Sequence, residues 1–239
     1  MIGSQLPKMR NSGTPLSFES ILDALVRALG AKFQRMYFRT VEQAGHHKRD
    51  ILVTRVEQAR DSLEEAKTQF QTALEKFSQL TQFDGGNLES VYRQLKIEFD
   101  YSQSRAQLVQ ERIGAVETVA RALFREWEDE LDQYSNRSLR SSSRQKLRMT
   151  QQHYLQLINA MRKAEGKIDP VLRVFQDQVL FLKHNLNARA IDSLEHELNT
   201  MSAGVSGLIG AMERSISRAN LFVESLNGTG QKALPPKRD

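Results

Sequence analysis

The strongest constraint on the fold of this chain is a hydrophobic repeat that alternates steps of four and three residues. The repeat occurs in four successive segments, and it is typical of helices that each bury one stripe of side chains against a neighbour. In the first of these segments the repeat consists of Leu52, Val56, Ala59, Leu63, Ala66, Phe70, Ala73, Phe77 and Leu80. Of the two alternating positions of this repeat, one holds a large residue and the other mostly alanine. This alternation lets two helices approach closely and favours an antiparallel neighbour.

Short polar breaks separate the four segments. Glycines follow the first segment within residues 83–87, a stretch rich in serine and arginine spans 134–143, and Asn185 and Asn187 mark a third turn. We expect a serine to cap the helix after the second break, with these candidates: Ser138, Ser141, Ser142 and Ser143. Pro170 predicts a kink or the start of a new helix, because proline lacks a backbone donor and crowds the preceding turn.

The last segment has a repeat that becomes irregular towards its end. Its members are Ile191, Leu194, Leu198, Met201, Val205, Leu208, Met212 and then, less regularly, Ile216, Ala219 and Leu226. Gly204, Gly207 and Gly210 recur at every third position of this segment. No strand precedes them, so a dinucleotide-binding loop is excluded and we expect close helix packing there.

These patterns predict an all-α protein: an elongated antiparallel bundle or coiled coil of about four long helices, plus an N-terminal amphipathic helix. We place the bundle at residues 40–226 and the amphipathic helix at 17–39, where an apolar face is accompanied by four basic residues. Residues 1–16 and 227–239 are polar and cannot bury a core, so we expect both to be disordered.

Composition excludes several kinds of site. The chain has no cysteine, which excludes disulfides, thiolate metal sites and cysteine nucleophiles. None of its five histidines has a carboxylate three residues before it, as the di-iron helical bundles require. We therefore predict no catalytic residue, no metal ligand and no cofactor, and we expect that the protein is not an enzyme.

The net charge of +5 hides a strong segregation of charge along the chain. Residues 84–134 have eleven acidic and six basic side chains, whereas 135–190 have three acidic and eleven basic ones. We favour mutual neutralisation of these neighbouring segments over a binding surface for nucleic acid. The basic residues that follow the second break are also candidate anion contacts at a helix start: Arg137, Arg140, Arg144 and Arg148.

Several blocks of sequence resemble a bacterial family of helical proteins, the domain-of-unknown-function family 2959. They lie at residues 47–53, 83–86, 122–136 and 182–191, and the likeness covers about residues 37–226. The resemblance implies no activity. It suggests the cell envelope, because many such proteins begin with a lipoprotein signal, whereas the lack of a signal peptide and of a lipobox cysteine favours the cytoplasm.

The last of these blocks is a candidate interaction surface. Its polar residues are Lys183, His184, Asn185, Asn187 and Arg189. They either form a recognition surface at one end of the bundle, or they have structural roles. In the structural alternative the two asparagines cap helix ends, and Lys183 and Arg189 neutralise neighbouring acidic faces.

We therefore predict a non-enzymatic helical scaffold or protein-interaction module at the bacterial cell envelope, which acts with a protein partner or as a homo-oligomer. The alternative is a polyanion-binding protein that uses the basic helix 17–39 and the Arg/Ser segment 137–148. Its partner would be an anionic membrane surface, with nucleic acid ranked second.

Overall fold

The computed structural model describes residues 48–81, 88–185 and 188–228. These residues form helices joined by short turns, and no strand occurs within them. The helices are α1 (Lys48–Thr81), α2 (Leu88–Leu131), α3 (Arg137–Glu165), α4 (Ile168–His184) and α5 (Ala188–Gly228). The all-α prediction is therefore confirmed.

Three predictions concern residues outside the described ones. The amphipathic helix at 17–39, the disordered segment at 1–16 and residues 229–239 of the tail all lie there. Helix α5 continues to Gly228, two residues beyond the end of the predicted bundle at 226. A difference of this size is within the usual variation in assigning helix ends.

The helices pack as a ring with four positions. Helix α1 contacts α2 and α5, and the position opposite α1 is filled first by α3 and then by α4, each of which contacts both α2 and α5. Neighbours in the ring are antiparallel: Lys48 near the start of α1 pairs with Glu126 near the end of α2, whereas Glu65 further along α1 pairs with the earlier Arg105. This is the up-down-up-down arrangement that segments of similar length predict.

The repeat of α1 forms the centre of the core. Its buried members are Leu52, Val56, Ala59, Leu63, Ala66, Phe70, Ala73 and Phe77, of which none is more than 4% exposed. The ring of Phe70 stacks on that of Phe175 in α4, with 6.2 Å between the centroids. The alternation of large and small residues therefore places α1 in close contact with its neighbours, as expected.

The third segment of the repeat, which contains Pro170, consists of two helices rather than one. Helix α3 ends at Glu165, where the backbone N–H of Gly166 donates to Arg162 O at 2.9 Å, and α4 begins at Ile168. Pro170 is the third residue of α4, a position whose N–H has no intrahelical partner in any helix. Of the two predicted effects of Pro170, the start of a new helix is the one observed.

The cap of α3 differs from the prediction. Asn136, and not one of the four candidate serines, occupies the N-cap position in extended conformation. Its Oδ1 accepts hydrogen bonds from the backbone N–H groups of Ser138 and Leu139 at 2.9 and 3.2 Å. Asparagine and serine are comparable N-caps, so the residue at which the turn meets the helix decides between them.

The repeat of α5 does not become irregular after Met212. It continues through Ser215, Ala219, Phe222 and Leu226, which are all buried. The predicted member Ile216 is only partly buried, because the core position is the preceding serine. A polar residue at a core position hides the regularity of the repeat from a hydrophobic pattern.

Candidate functional site

Helix α3 is the most strongly basic helix of the ring. It has seven lysine and arginine residues and a single carboxylate, that of Glu165. It directly follows the acidic end of α2 in the chain, and the two helices contact each other. The ion pairs that these residues form decide whether the expected neutralisation takes place.

Two arginines of α3 are paired with carboxylates. Arg140 pairs with Asp132 in the turn before the helix. Arg162 donates from Nε and Nη2 to the carboxylate of Glu117 on α2, at 2.9 and 2.5 Å, and from Nη1 to Glu165 at 2.6 Å. The hydrogen bond from Arg162 lowers the pKa of the Glu117 carboxyl, and the same contacts raise the pKa of the guanidinium.

The rest of the acidic run at the end of α2 has other partners. Glu126 bonds Lys48 of α1, with 2.5 Å between Oε1 and Nζ. Glu128 accepts from the neutral amide of Gln151 at 3.0 Å. Neutralisation of the basic segment by the acidic one is therefore only partial among the described residues, because part of the run faces α1 rather than α3.

Three arginines of α3 remain exposed. Arg137, Arg144 and Arg148 form no hydrogen bond or ion pair with any other residue that the structure describes. They are separated by seven and four residues, about two turns and one turn of helix, so they lie along one line of its surface. Of the four predicted anion contacts, these three are available to a partner, and Arg140 is already paired.

Exposed apolar side chains accompany these arginines. Met149 is 52% and Leu155 is 54% exposed, and both lie on the outer side of the same helix. We call Arg137, Arg144, Arg148, Met149 and Leu155 together the α3 face. It combines uncompensated positive charge with apolar groups.

A groove between α3 and α5 extends the basic surface. It has a volume of about 500 Å³ and is lined by three basic residues, two uncharged polar residues and three apolar residues. The basic residues are Lys163, Arg214 and Arg218, the polar ones are Asn159 and Ser217, and the largest apolar one is Leu221. No carboxylate lines it. We call it the α3–α5 groove.

A second cavity, of about 530 Å³, lies between α2 and α3. Its lining has charges of both signs, with Glu117 and Glu128 beside Arg121 and Arg125, so it has no excess charge. Tyr154 lines it and packs edge-on against Phe124, with 5.3 Å between the ring centroids. Burial raises the pKa of the Tyr154 phenol to about 12.

The candidate surface at the end of α4 is only partly described. Lys183 and His184 are exposed. Asn185 ends the helix: its Nδ2 donates to Phe181 O at 3.0 Å and its backbone N–H donates to Leu182 O at 3.2 Å. Asn187 and the side chain of Arg189 lie outside the described part, so the structure supports a capping role for Asn185 and brings no recognition site together here.

The model of one protein family matches residues 37–226, which include almost all of the five helices. The chain belongs to the DUF2959 family, whose members are described as proteins of unknown function. No curated protein matches the sequence. The resemblance inferred from the sequence blocks is thus confirmed.

Two further properties of this DUF2959 protein concern the described residues only. None of their helices is both long enough and apolar enough to cross a membrane. No group of three or more histidine, aspartate or glutamate side chains among them is placed to hold a metal ion.

Sequence reasoning on this DUF2959 protein named the three arginines of the α3 face, but neither the apolar residues of that face nor the α3–α5 groove. The basic residues of α5 that line the groove, Arg214 and Arg218, lie in a segment with a net negative charge. The spacing of four residues between them, which places them on one side of a helix, is the sequence signal that could have indicated them.

Proposed function

We propose that this DUF2959 protein is a non-enzymatic interaction module that binds an anionic membrane surface through the α3 face. The observation that supports this most strongly is the line of exposed arginines, Arg137, Arg144 and Arg148, which have no carboxylate partner among the described residues. A line of unneutralised charge attracts a polyanion over distances up to the Debye length, about 10 Å at 0.1 M salt.

The apolar part of the face favours a membrane over a nucleic acid. Met149 directly follows Arg148, Leu155 lies about two turns further along α3, and both are more than half exposed. Aliphatic side chains gain from insertion among lipid headgroups, whereas the phosphate backbone of DNA offers them no apolar surface. The basic helix predicted at 17–39 lies outside the described residues, and the proposal does not depend on it.

Co-sedimentation with vesicles tests the proposal. We expect the protein to sediment with vesicles of phosphatidylcholine mixed with phosphatidylglycerol, and not with vesicles of phosphatidylcholine alone. Raising the salt concentration from about 0.1 M to about 1 M shortens the Debye length from about 10 to about 3 Å and should release most of the bound protein. Equal binding to both kinds of vesicle, or binding that salt does not change, would contradict the proposal.

A charge-matched pair of variants locates the surface. Replacing Arg137, Arg144 and Arg148 by glutamine removes three charges, each of which contributes about 1 kcal/mol at an anionic surface, so we expect the partition coefficient to fall roughly 100-fold. The control removes three exposed charges elsewhere, by Lys76→Gln, Lys96→Gln and Arg173→Gln. If the control variant loses as much binding as the α3 variant, the attraction comes from net charge and not from the α3 face.

The same variants distinguish a nucleic-acid partner. A mobility-shift titration with duplex DNA should show only weak binding that the two triple variants reduce equally. DNA binding that is tighter than vesicle binding and is lost only in the α3 variant would replace the membrane by a nucleic acid as the partner.

A second candidate, self-association or binding of a protein partner, is supported by a different surface. Ile97 and Tyr101 on α2 are 52% and 59% exposed and lie one turn apart, so they form a small apolar patch. Sedimentation velocity at increasing concentration tests this candidate. We expect a concentration-dependent increase in mass that the double substitution Ile97→Ser with Tyr101→Ser abolishes, whereas Leu155→Ser on the α3 face leaves it unchanged.

A further inference from the structure

The α3–α5 groove brings together positive charges that no carboxylate of its lining compensates. Lys163 of α3 and Arg214 and Arg218 of α5 line it. Lys163 and Arg214 form no hydrogen bond or ion pair with the described residues, and the single carboxylate of α3, Glu165, is bonded to Arg162. Like charges that share a groove repel one another, so an anion bound between them would relieve that repulsion.

A hydrogen bond positions one of these cations, Arg218, and a glycine leaves room for another, Arg214. A Cβ at Gly210 would lie 3.4 Å from Nη1 of Arg214, so the guanidinium lies close against the backbone of α5 where glycine leaves room. Arg218 Nη1 donates to Gln156 Oε1 at 3.0 Å. The Arg218 guanidinium is therefore partly ordered before any ligand arrives, which lowers the entropy cost of binding.

The glycine series of α5 thus has two roles. Gly204 faces α4, where an added Cβ would lie 3.6 Å from Val171 Cγ2, which is the close packing that the sequence predicts. Gly207 and Gly210 instead lie beneath cationic side chains, those of Lys167 and Arg214. The row of glycines next to cations extends the basic surface along α5 beyond the groove.

We propose that the α3–α5 groove binds the phosphate group of an anionic phospholipid headgroup, an inference that rests on the proposed function and specifies its ligand. A guanidinium can donate two parallel hydrogen bonds to a phosphate, and the groove has two such groups and an ammonium. Asn159 and Ser217 supply further polar contacts for the hydroxyl or ester oxygens of a headgroup.

The apolar part of the groove indicates a lipid rather than a free anion. Leu221 lines the groove while 52% of it remains exposed, and Ala160 and Ala211 complete the lining. Lys163 follows Arg148 by fifteen residues, about four turns of α3, so the groove opens near the same outer side of the helix as the α3 face. A membrane bound to the α3 face would therefore present its lipid headgroups to the groove.

Binding of a soluble lipid tests the groove separately from the surface. The probe is phosphatidylglycerol with six-carbon chains, held below its critical micelle concentration and titrated calorimetrically into the full chain. We expect saturable one-to-one binding, with at least about tenfold weaker binding of the phosphatidylcholine of equal chain length, which has no net charge. Inorganic phosphate should also bind more weakly, because it lacks the apolar part of the ligand.

Two triple variants distinguish the two proposals. Replacing Lys163, Arg214 and Arg218 by glutamine should raise the dissociation constant for the soluble lipid at least about tenfold, because charged hydrogen bonds are lost. Replacing the three arginines of the α3 face by glutamine should leave this constant within about twofold, while it lowers the partition coefficient for vesicles roughly 100-fold. If the wild type binds the soluble lipid but does not sediment with vesicles, the proposed function is rejected and the groove proposal is not.

The groove proposal is overturned by any of three results. These are no saturable binding of the soluble phosphatidylglycerol, equal binding of phosphatidylcholine or inorganic phosphate, and unchanged affinity in the groove variant. Gly210→Ala provides a second test in a chain that stays folded, since alanine favours helix more than glycine does. An added Cβ would lie 3.4 Å from Arg214 Nη1, an ordinary contact that leaves the guanidinium in place, so we expect the affinity to stay within about twofold. A loss as large as that of the groove variant would count against the proposal.

Discussion

Replacing Ser215 by alanine should stabilise the protein. The serine is fully buried in the core stripe of α5, and its hydroxyl has no hydrogen-bond partner in the described part of the chain. An unsatisfied buried polar group costs about 1–3 kcal/mol, and serine is about 0.5 kcal/mol less favourable than alanine inside a helix. Lost contacts of the small oxygen offset part of this gain. We therefore expect the free energy of unfolding to rise by about 2 kcal/mol.

Ser102 of α2 is the matched control. It is also fully buried, but its Oγ donates to Glu98 O at 2.8 Å. Its replacement by alanine removes a hydrogen bond worth about 0.5–1.5 kcal/mol and gains the same helix propensity, so we expect no stabilisation. Thermal unfolding followed by circular dichroism should show a Tm about 4–8 °C higher for Ser215→Ala, since 1 kcal/mol corresponds to about 2–4 °C at this chain length. A Tm that falls for Ser215→Ala, or that changes equally in both variants, would refute the reasoning.

Three other substitutions test the core, the cap and an ion pair. Phe70→Ala should lower the free energy of unfolding by about 3–5 kcal/mol in urea titrations, whereas Ile97→Ala at an exposed position should change it by less than about 0.5 kcal/mol; similar losses would contradict the assigned core. Asn136→Ala should cost about 1 kcal/mol, measured in the same way, because two backbone donors lose their acceptor; no loss would mean that the cap does not form. Arg162 lowers the pKa of Glu117 from its ordinary value of 4.5, so this carboxylate contributes stability that is complete above that pH and is lost as pH falls through its folded pKa. As the pH is lowered below about 4.5, the Tm of Glu117→Gln should therefore fall less than that of the wild type. Equal decreases of Tm in both proteins would show that this ion pair does not contribute to stability.

The helices were predictable because each buries a regular stripe. In α1 every member of the predicted stripe whose burial is described proved to be buried, since a regular apolar repeat has one low-energy way to avoid water. The stripe of α5 was predicted as regular only up to Met212, although two of its later predicted members, Ala219 and Leu226, are also buried. Ser215 occupies the next core position, and no hydrophobic pattern indicates a buried serine.

The breaks between helices were predictable in kind but less so in position. Pro170 indicated a discontinuity in the third segment, yet the chain breaks at Gly166 and Lys167, four and three residues earlier, because proline is accommodated in the first turn of α4. Asn136 caps α3 in place of the serines that follow it. Both differences arise because several residues nearby satisfy the same local rule, and packing of the helices selects among them.

The charge pattern predicted which arginines are candidates for binding an anion, but not which carboxylates pair with which cations. Segment totals predicted that the acidic end of α2 would neutralise the start of α3. Totals contain no information about which side of a helix each carboxylate occupies, and Glu126 bonds Lys48 of α1 instead. The groove between α3 and α5 depends on residues more than fifty positions apart in the chain, so only the folded arrangement brings them together.

The most direct test of the account is whether the α3 face contacts an anionic membrane. Because the chain has no cysteine, single cysteines can be introduced and labelled with a polarity-sensitive fluorophore. The informative site is exposed Ser141, four residues from Arg137 and thus on the same side of α3; the control site is exposed Thr54 on α1, across the ring. Vesicles containing phosphatidylglycerol should shift the emission of the label at position 141 to shorter wavelength and leave the label at position 54 unchanged. No shift at position 141, or equal shifts at both positions, would contradict the central claim.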